Sequence, residues 1–471
     1  MRSAQNIKRK QKNTEKHNSK RKALKKLCNR NKNQEKRKNI VYQLSQTIIH
    51  FFPDLFERIR QIEDYRKKSD YELSELITAG IAMFLFKEDS RNALNNDRQE
   101  ENFSKNYKRI FKMRLPHMDT VDRVMRKLKE KELEELKTSM VRNLLEKRSL
   151  HKFRFLKHWF IVAVDGSGIL SFSEKHCEHC THTTSKNGKT TYFHNVLEAK
   201  LICYNGFSIS LCTEWIENPE GDYKKQDCEQ KAFKRLEKRL KMLYPRLPIC
   251  ITADGLYPNE PFFEICKNNN WSFVVTFQDG NLPSVWKKVE QLKSIATENK
   301  YSESIVEKGK EIHRDYCWIN EIDYKGHKLN WIECKESVTN RDNEEKEISR
   351  FVYLTSIKIS RSNAAEIVQT GRLRWKIENE GFNTQKNLGY NLEHKYSRVS
   401  WLAAKNYYQC LQIGHLINQL LELSSKFREL LKGKITIKHL WKCMIGFLIF
   451  GDINCREISM LYQIRTQVRL E

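Results

Sequence analysis

Two apolar stretches of strand length each end in Asp-Gly, and they constrain this chain more than any other feature. The first, HWFIVAVDG, ends at Asp165-Gly166, and the second, PICITADG, at Asp254-Gly255. A carboxylate just past a buried strand sits at the rim of an α/β sheet, where binding and reaction sites collect. A third carboxylate, Glu378, lies in Arg372 to Lys386, RLRWKIENEGFNTQK, which reads as a helix preceded by Thr370 and Gly371 in a loop. Arg374 is four residues before Glu378, so the two share a helical face. Two strand ends and one helix can thus deliver three carboxylates, enough to hold a pair of divalent ions.

The order of segments predicts several units. Residues 1–39 carry KRKQK, SKRKALKKL and EKRK, with few apolar anchors, and read as a basic disordered arm. Residues 40–152 show apolar residues at three- and four-residue intervals and read as helical, with VDRVMRKLKEKELEELKTSMVRNLL as one continuous helix. That unit suits either DNA-end recognition or packing on the next domain. Residues 153–278 read as the first part of an α/β core: strand, a hairpin turning at Asn205-Gly206, a basic helix, strand, helix, strand. Residues 279–358 alternate apolar and polar side chains and read as a β-rich insertion, and 359–460 as the last part of the core with closing helices. Asp227 and Glu229 fall at the start of the basic helix, where acidic side chains suit the helix dipole better than a metal.

Within the first core segment, KHCEHCTH places Cys177 and Cys180 at CxxC spacing, with His176, His179, His182 and His194 nearby. Cys177, Cys180, His182 and His194 form a candidate set for structural Zn²⁺. The other reading is a reduced thiol pair in a loop.

Net charge bears on partners. The chain of 471 residues carries a formal charge of +27, which points to a polyanion, most simply nucleic acid. The first residues are charged and lack an apolar segment, no run is long enough to span a bilayer, and the thirteen cysteines are mostly scattered singly. These features predict a reduced, cytoplasmic, nucleoid-associated protein with no membrane partner.

VAVDG, ITADG and RWKIEN, in that order and with a β-rich segment between the last two, resemble the DDE transposases of bacterial insertion sequences. The resemblance covers about Trp159 to Tyr390. It implies an α/β, RNase H-like mixed sheet with flanking helices, a β-rich insertion before the last catalytic helix, and an N-terminal helical domain. It also implies two Mg²⁺ or Mn²⁺ ions, cleavage of inverted-repeat transposon ends, strand transfer into target double-stranded DNA, and a homodimer on the DNA. Asp165 would bridge the two ions, with Asp254 and Glu378 each binding one. Arg374, Trp375 and Lys386 are the candidate DNA contacts: Arg374 on a phosphate, Trp375 on an unpaired base or packed on the sheet, Lys386 on a phosphate or in solvent. The family's Tyr-Arg-Glu-Lys helix signature is matched at Arg374 and Glu378. Gly371 stands at its tyrosine position and Gln385 at its lysine position, with Lys386 one step, about 100°, around a straight helix. A related nuclease without strand transfer and a catalytically inactive DNA-binding protein are the alternative readings.

Overall fold

The computed structural model describes residues 34–307, 309–340, 346–431, 435–463 and 467–470. Most of the predicted basic arm, residues 1–33, lies outside the described residues. The chain is mixed α/β and divides into two compact units, one of residues 148–383 and one of residues 1–147 with 384–471.

The first unit is built on a ten-stranded mixed sheet. Its strands are β1 (Phe160–Phe172), β2 (Thr181–Thr184), β3 (Thr190–Ile202), β4 (Ser208–Ile216), β5 (Ile249–Ala253), β6 (Ser272–Thr276), β7 (Lys300–Glu307), β8 (Lys310–Tyr324), β9 (His327–Asn340) and β10 (Lys346–Thr355). They run in the order β2-β3-β1-β5-β6-β10-β9-β8-β7, with β4 also on β3. Strands β1, β5 and β6 are parallel, and the remaining pairs are antiparallel. The predicted β-rich insertion supplies β7 to β10, and these extend the sheet through the β10–β6 pair.

The apolar runs explain the middle of this sheet. Phe160 to Val164 and all of β5 are buried, as strands covered on both faces must be. The predicted hairpin turn is present: Cys203 donates to Phe207 across Asn205-Gly206, with Gly206 at φ +109°. Seven α-helices of the described residues come earlier in the chain and belong to the other unit. Here α8 (Glu229–Leu243) packs on β3 and β4, α9 (Glu260–Asn269) on β6, α10 (Pro283–Lys293) on β8, and α11 (Ala364–Leu373) on β5, β6, β9 and β10.

The segment read as one helix from Arg372 is three pieces. Thr370 and Gly371 belong to α11 rather than to a loop, the regular α-helix ends at Leu373 with Arg374 as its cap, and a π-helix runs from Ile377 to Asn383. A short helix, α12 (Thr384–Asn387), follows in the second unit. π-helical turns are rare and concentrate at functional sites.

The second unit is helical: α1 (Gln34–Phe51), α2 (Leu55–Arg60), α3 (Leu73–Leu85), α4 (Arg91–Arg98), α5 (Glu101–Phe111), α6 (Met118–Met125), α7 (Glu130–Glu146), α13 (Trp401–Glu422), α14 (Ser425–Leu430), α15 (Ile437–Phe450) and α16 (Cys455–Gln463). Helix α1 thus starts inside the stretch expected to be a disordered arm. The closing helices, expected to complete the α/β core, instead join the N-terminal ones. Their side chains give the reason. Every residue of α3 is buried, and a Cβ on Gly414 of α13 would stand 3.0 Å from Phe84 Cβ, so the two helices cross closely. Buried Asn406 donates to the carbonyls of Met125 and Leu128. Those carbonyls mark where the helix predicted to run on from Val121 stops, to resume as α7. Among the described residues no helix is long and apolar enough to cross a membrane.

Candidate active site

The pairing register brings the two aspartates side by side. The last β1–β5 pair is Ala163 with Thr252. Two residues beyond that pair stand Asp165, within β1, and Asp254, just past the end of β5, so the two leave the same end of neighbouring parallel strands. Asp165 is not at the strand end, as the sequence suggests. β1 continues to Phe172, held on its other edge by β3, where Asp165 pairs with Glu198. On the β5 side the pairing of β1 stops at Ala163.

Side chains pack closely over both glycines that follow the aspartates. A Cβ on Gly166 would meet Glu229 Oε2 at 2.9 Å, and one on Gly255 would meet Gln278 Cδ at 2.6 Å. Asp254 Oδ1 accepts from the Leu256 backbone N–H at 2.9 Å, which orients its carboxylate.

Glu378 arrives on the π-helix, which packs on β1 and β4. The approach is close because Gly381 has no side chain: a Cβ there would lie 2.8 Å from Ser208 Oγ and 3.4 Å from Lys200 Nζ. Arg374 Nη1 donates to Glu378 Oε1 at 2.5 Å and lies 4.0 Å from Asp165 Oδ2. One guanidinium therefore links the helix carboxylate to the β1 carboxylate.

The electrostatics record this crowding. Burial first, then repulsion from Glu378, pushes Asp165 up to about 7. Arg374 opposes the rise, while Glu229 and Asp254 add to it. The Glu229 carboxyl is also raised, by burial and by Asp254, against a hydrogen bond that Tyr257 donates to Glu229 Oε1 at 2.8 Å. Glu229 is thus a fourth carboxylate at the site, although its place at the start of α8 reads as dipole matching. Sequence order carries no signal for it beyond an acidic residue at a helix start. Four carboxylates, their repulsion partly offset by one arginine, therefore neighbour one another here. Among the described residues, however, the Cys/His cluster is the group whose ligand atoms all lie within 4.8 Å of one another; as an all-oxygen set, the carboxylates have the donor chemistry of a hard cation rather than a preformed cage.

The expected DNA contacts differ in placement. Arg374 is 8% exposed and engaged by Glu378, and its guanidinium lies 4.7 Å from the Trp375 ring centre. Trp375 does not pack into the sheet: it is 54% exposed. Asp254, Gly255, Gln278, Arg350, Arg374 and Trp375 line an open groove. Gly371 has no room for a tyrosine, because its Cβ would fall 2.3 Å from the ring of Tyr353 on β10. In the helical unit, Gln385 is fully buried on Gln412 and His415, and Lys386 pairs with Glu393 at 2.8 Å.

Of the candidate zinc ligands, Cys177, Cys180 and His194 converge and His182 does not; the fourth member of the cluster is His176. His182 pairs with Tyr192, two residues along β3 from His194. That is about 6.8 Å of strand, so its ring rests on Tyr192 at 5.7 Å instead. Compared with models of known protein families and with curated proteins, the chain matches none.

Proposed function

We propose that this chain is a DDE-type DNA transposase that cuts transposon ends and joins them to target DNA. The observation that carries the reading is the gathering of Asp165, Asp254 and Glu378, drawn from two parallel strands and one helix, where burial first and then repulsion from Glu378 push Asp165 up to about 7. An RNase H-like core suits the order of antiparallel β1, β3 and β4, then α8, then β5 and β6 parallel to β1. The helical unit is proposed to bind DNA ends, and the +27 charge supports a nucleic-acid partner.

Asp165, Asp254 and Glu378 would hold Mg²⁺ or Mn²⁺. Bound there, the ions would activate a water or a 3′-hydroxyl and stabilise the leaving oxygen of a phosphodiester. The chain's own groups set the geometry. Arg374 fixes the rotamer of Glu378 through their hydrogen bond. Tyr257 holds Glu229 against Gly166, where it adds negative charge beside Asp165. Exposed Trp375 presents an aromatic face at the groove that also holds Asp254, suited to stacking on a base freed near the cut.

The test is magnesium-dependent cleavage of duplex DNA carrying the inverted repeats that flank this reading frame, followed by joining of pre-cut ends. Cleavage and joining that vanish in Asp165→Asn and Glu378→Gln are expected. Full activity in either variant would reject the proposal, and cleavage without joining would assign a nuclease instead.

A further inference from the structure

The loop between β1 and β2 carries a second constellation, separate from the carboxylates. His176, Cys177, Cys180 and His194 each direct one ligand atom into a common space, all four within 4.8 Å of one another. The individual separations are informative. His176 Nδ1 to His194 Nε2 is 3.3 Å, Cys177 Sγ to His194 Nε2 is 3.5 Å, Cys180 Sγ to His194 Nε2 is 3.4 Å, and Sγ to Sγ is 4.0 Å. Around Zn²⁺, with Zn–S about 2.3 Å and Zn–N about 2.0–2.1 Å, a regular tetrahedron has N···N, S···N and S···S edges of about 3.3, 3.6 and 3.8 Å. The observed edges follow that order and those lengths.

The fold holds this arrangement from several directions. Cys180 N–H donates to the Cys177 carbonyl, forming the tight turn that sets the two thiols side by side. Fully buried Asn218 donates its side-chain amide to the Cys180 carbonyl at 2.7 Å and its backbone N–H to the His179 carbonyl, while its Oδ1 accepts from the Asp227 N–H, so the turn is anchored by a polar group outside the ligand set. The His176 ring stacks on Phe172, the last residue of β1, at 4.5 Å. His194 is supplied by β3, opposite Leu170 of β1.

We propose that His176 Nδ1, Cys177 Sγ, Cys180 Sγ and His194 Nε2 form a structural Zn²⁺ site. Two thiolates and two imidazoles match the softness and tetrahedral preference of zinc, and four protein ligands leave no open position for substrate. The site cross-links the β1–β2 loop to β3, roughly 15 Å along β1 from Asp165. Zinc binding releases the thiol protons and ties the β1–β2 loop to β3, so it stabilises the fold. This inference does not depend on the transposase reading.

The test uses the full chain purified with reductant. Zinc content by mass spectrometry should be one per chain, and cobalt(II) substitution should give the visible bands of tetrahedral coordination with thiolate ligands. Chelation should lower the melting temperature, and added Zn²⁺ should restore it. His176→Ala and Cys180→Ser should each lose the metal, whereas His182→Ala should keep it. The proposal is overturned if the folded wild-type chain binds no zinc under these conditions, or if cobalt shows no thiolate ligation. Loss of metal in His182→Ala with retention in His176→Ala would overturn the ligand set. His176→Cys, which preserves four ligands, should keep the metal, and this separates ligation from a failure to fold.

Discussion

Arg374 donates to Glu378 one helical turn away, at 2.5 Å, and the same nitrogen stands 4.0 Å from Asp165. A single buried guanidinium thereby faces two carboxylates that the chain separates by more than two hundred residues. It offsets part of their repulsion, and what is left has consequences that can be measured.

Asp165 holds its proton to about 7 in the folded chain, well above an ordinary aspartate. With the folded value raised, the metal-free protein loses stability as pH climbs from the unfolded value of about 4 through about 7, by about 4 kcal/mol. Asp165→Asn should remove that dependence, so the variant melts higher than wild type above neutral pH while cleavage disappears. Mg²⁺ should raise the wild-type melting temperature more than that of the variant. Superimposable melting profiles across this pH range would contradict the assignment.

Glu229 separates a fourth carboxylate at the site from a residue that merely suits a helix start. Glu229→Gln should raise the Mg²⁺ concentration needed for half-maximal cleavage and lower the rate by about 10–100-fold, the usual cost of disturbing a metal site's supporting groups. Tyr257→Phe, which removes the hydrogen bond at 2.8 Å, should shift the metal dependence in the same direction and by less. A metal titration unchanged in both variants would leave Glu229 as a helix N-terminal residue only.

Trp375 is 54% exposed, so truncating it removes little packing. Trp375→Ala should leave the melting temperature within a degree or two and weaken binding to DNA with an unpaired base at the cut by about 1–3 kcal/mol. Equal affinity of wild type and variant for that substrate would remove the stacking role.

Gly371 and Tyr353 share one space, with the ring 2.3 Å from where a Cβ would lie. Gly371→Ala should destabilise the chain by about 1–3 kcal/mol, the cost of overpacking a filled site. Tyr353→Leu should relieve part of that loss, giving a coupling of at least about 0.5 kcal/mol in a double-mutant cycle. Additive denaturation midpoints would show that the two residues do not compete.

Much of the site is legible locally. The strand that carries Asp165 and the one that precedes Asp254 announce themselves by continuous apolar runs, Glu378 by its helical partner Arg374, and the hairpin by Asn205-Gly206. CxxC spacing marks Cys177 and Cys180. His176 and His182 are indistinguishable by spacing, however, because a loop residue can fold back while a strand residue is carried away at about 3.4 Å per step. Glu229 is hidden for a similar reason: a helix start near the sheet rim looks like any other until the sheet is assembled.

Composition and periodicity by themselves determined the strands, the acidic residues in or just after them and the basic character of the chain, since these depend on the residues themselves and on neighbours a few positions away. Tertiary structure alone decided that Asp165 and Asp254 leave the same end of neighbouring strands, that Arg374 faces both Asp165 and Glu378, that His176 completes the Cys/His cluster, and that the last helices join the first ones. Those outcomes rest on strand register and on close approaches at Gly166, Gly381 and Gly414, contacts between segments far apart in sequence that no local pattern encodes.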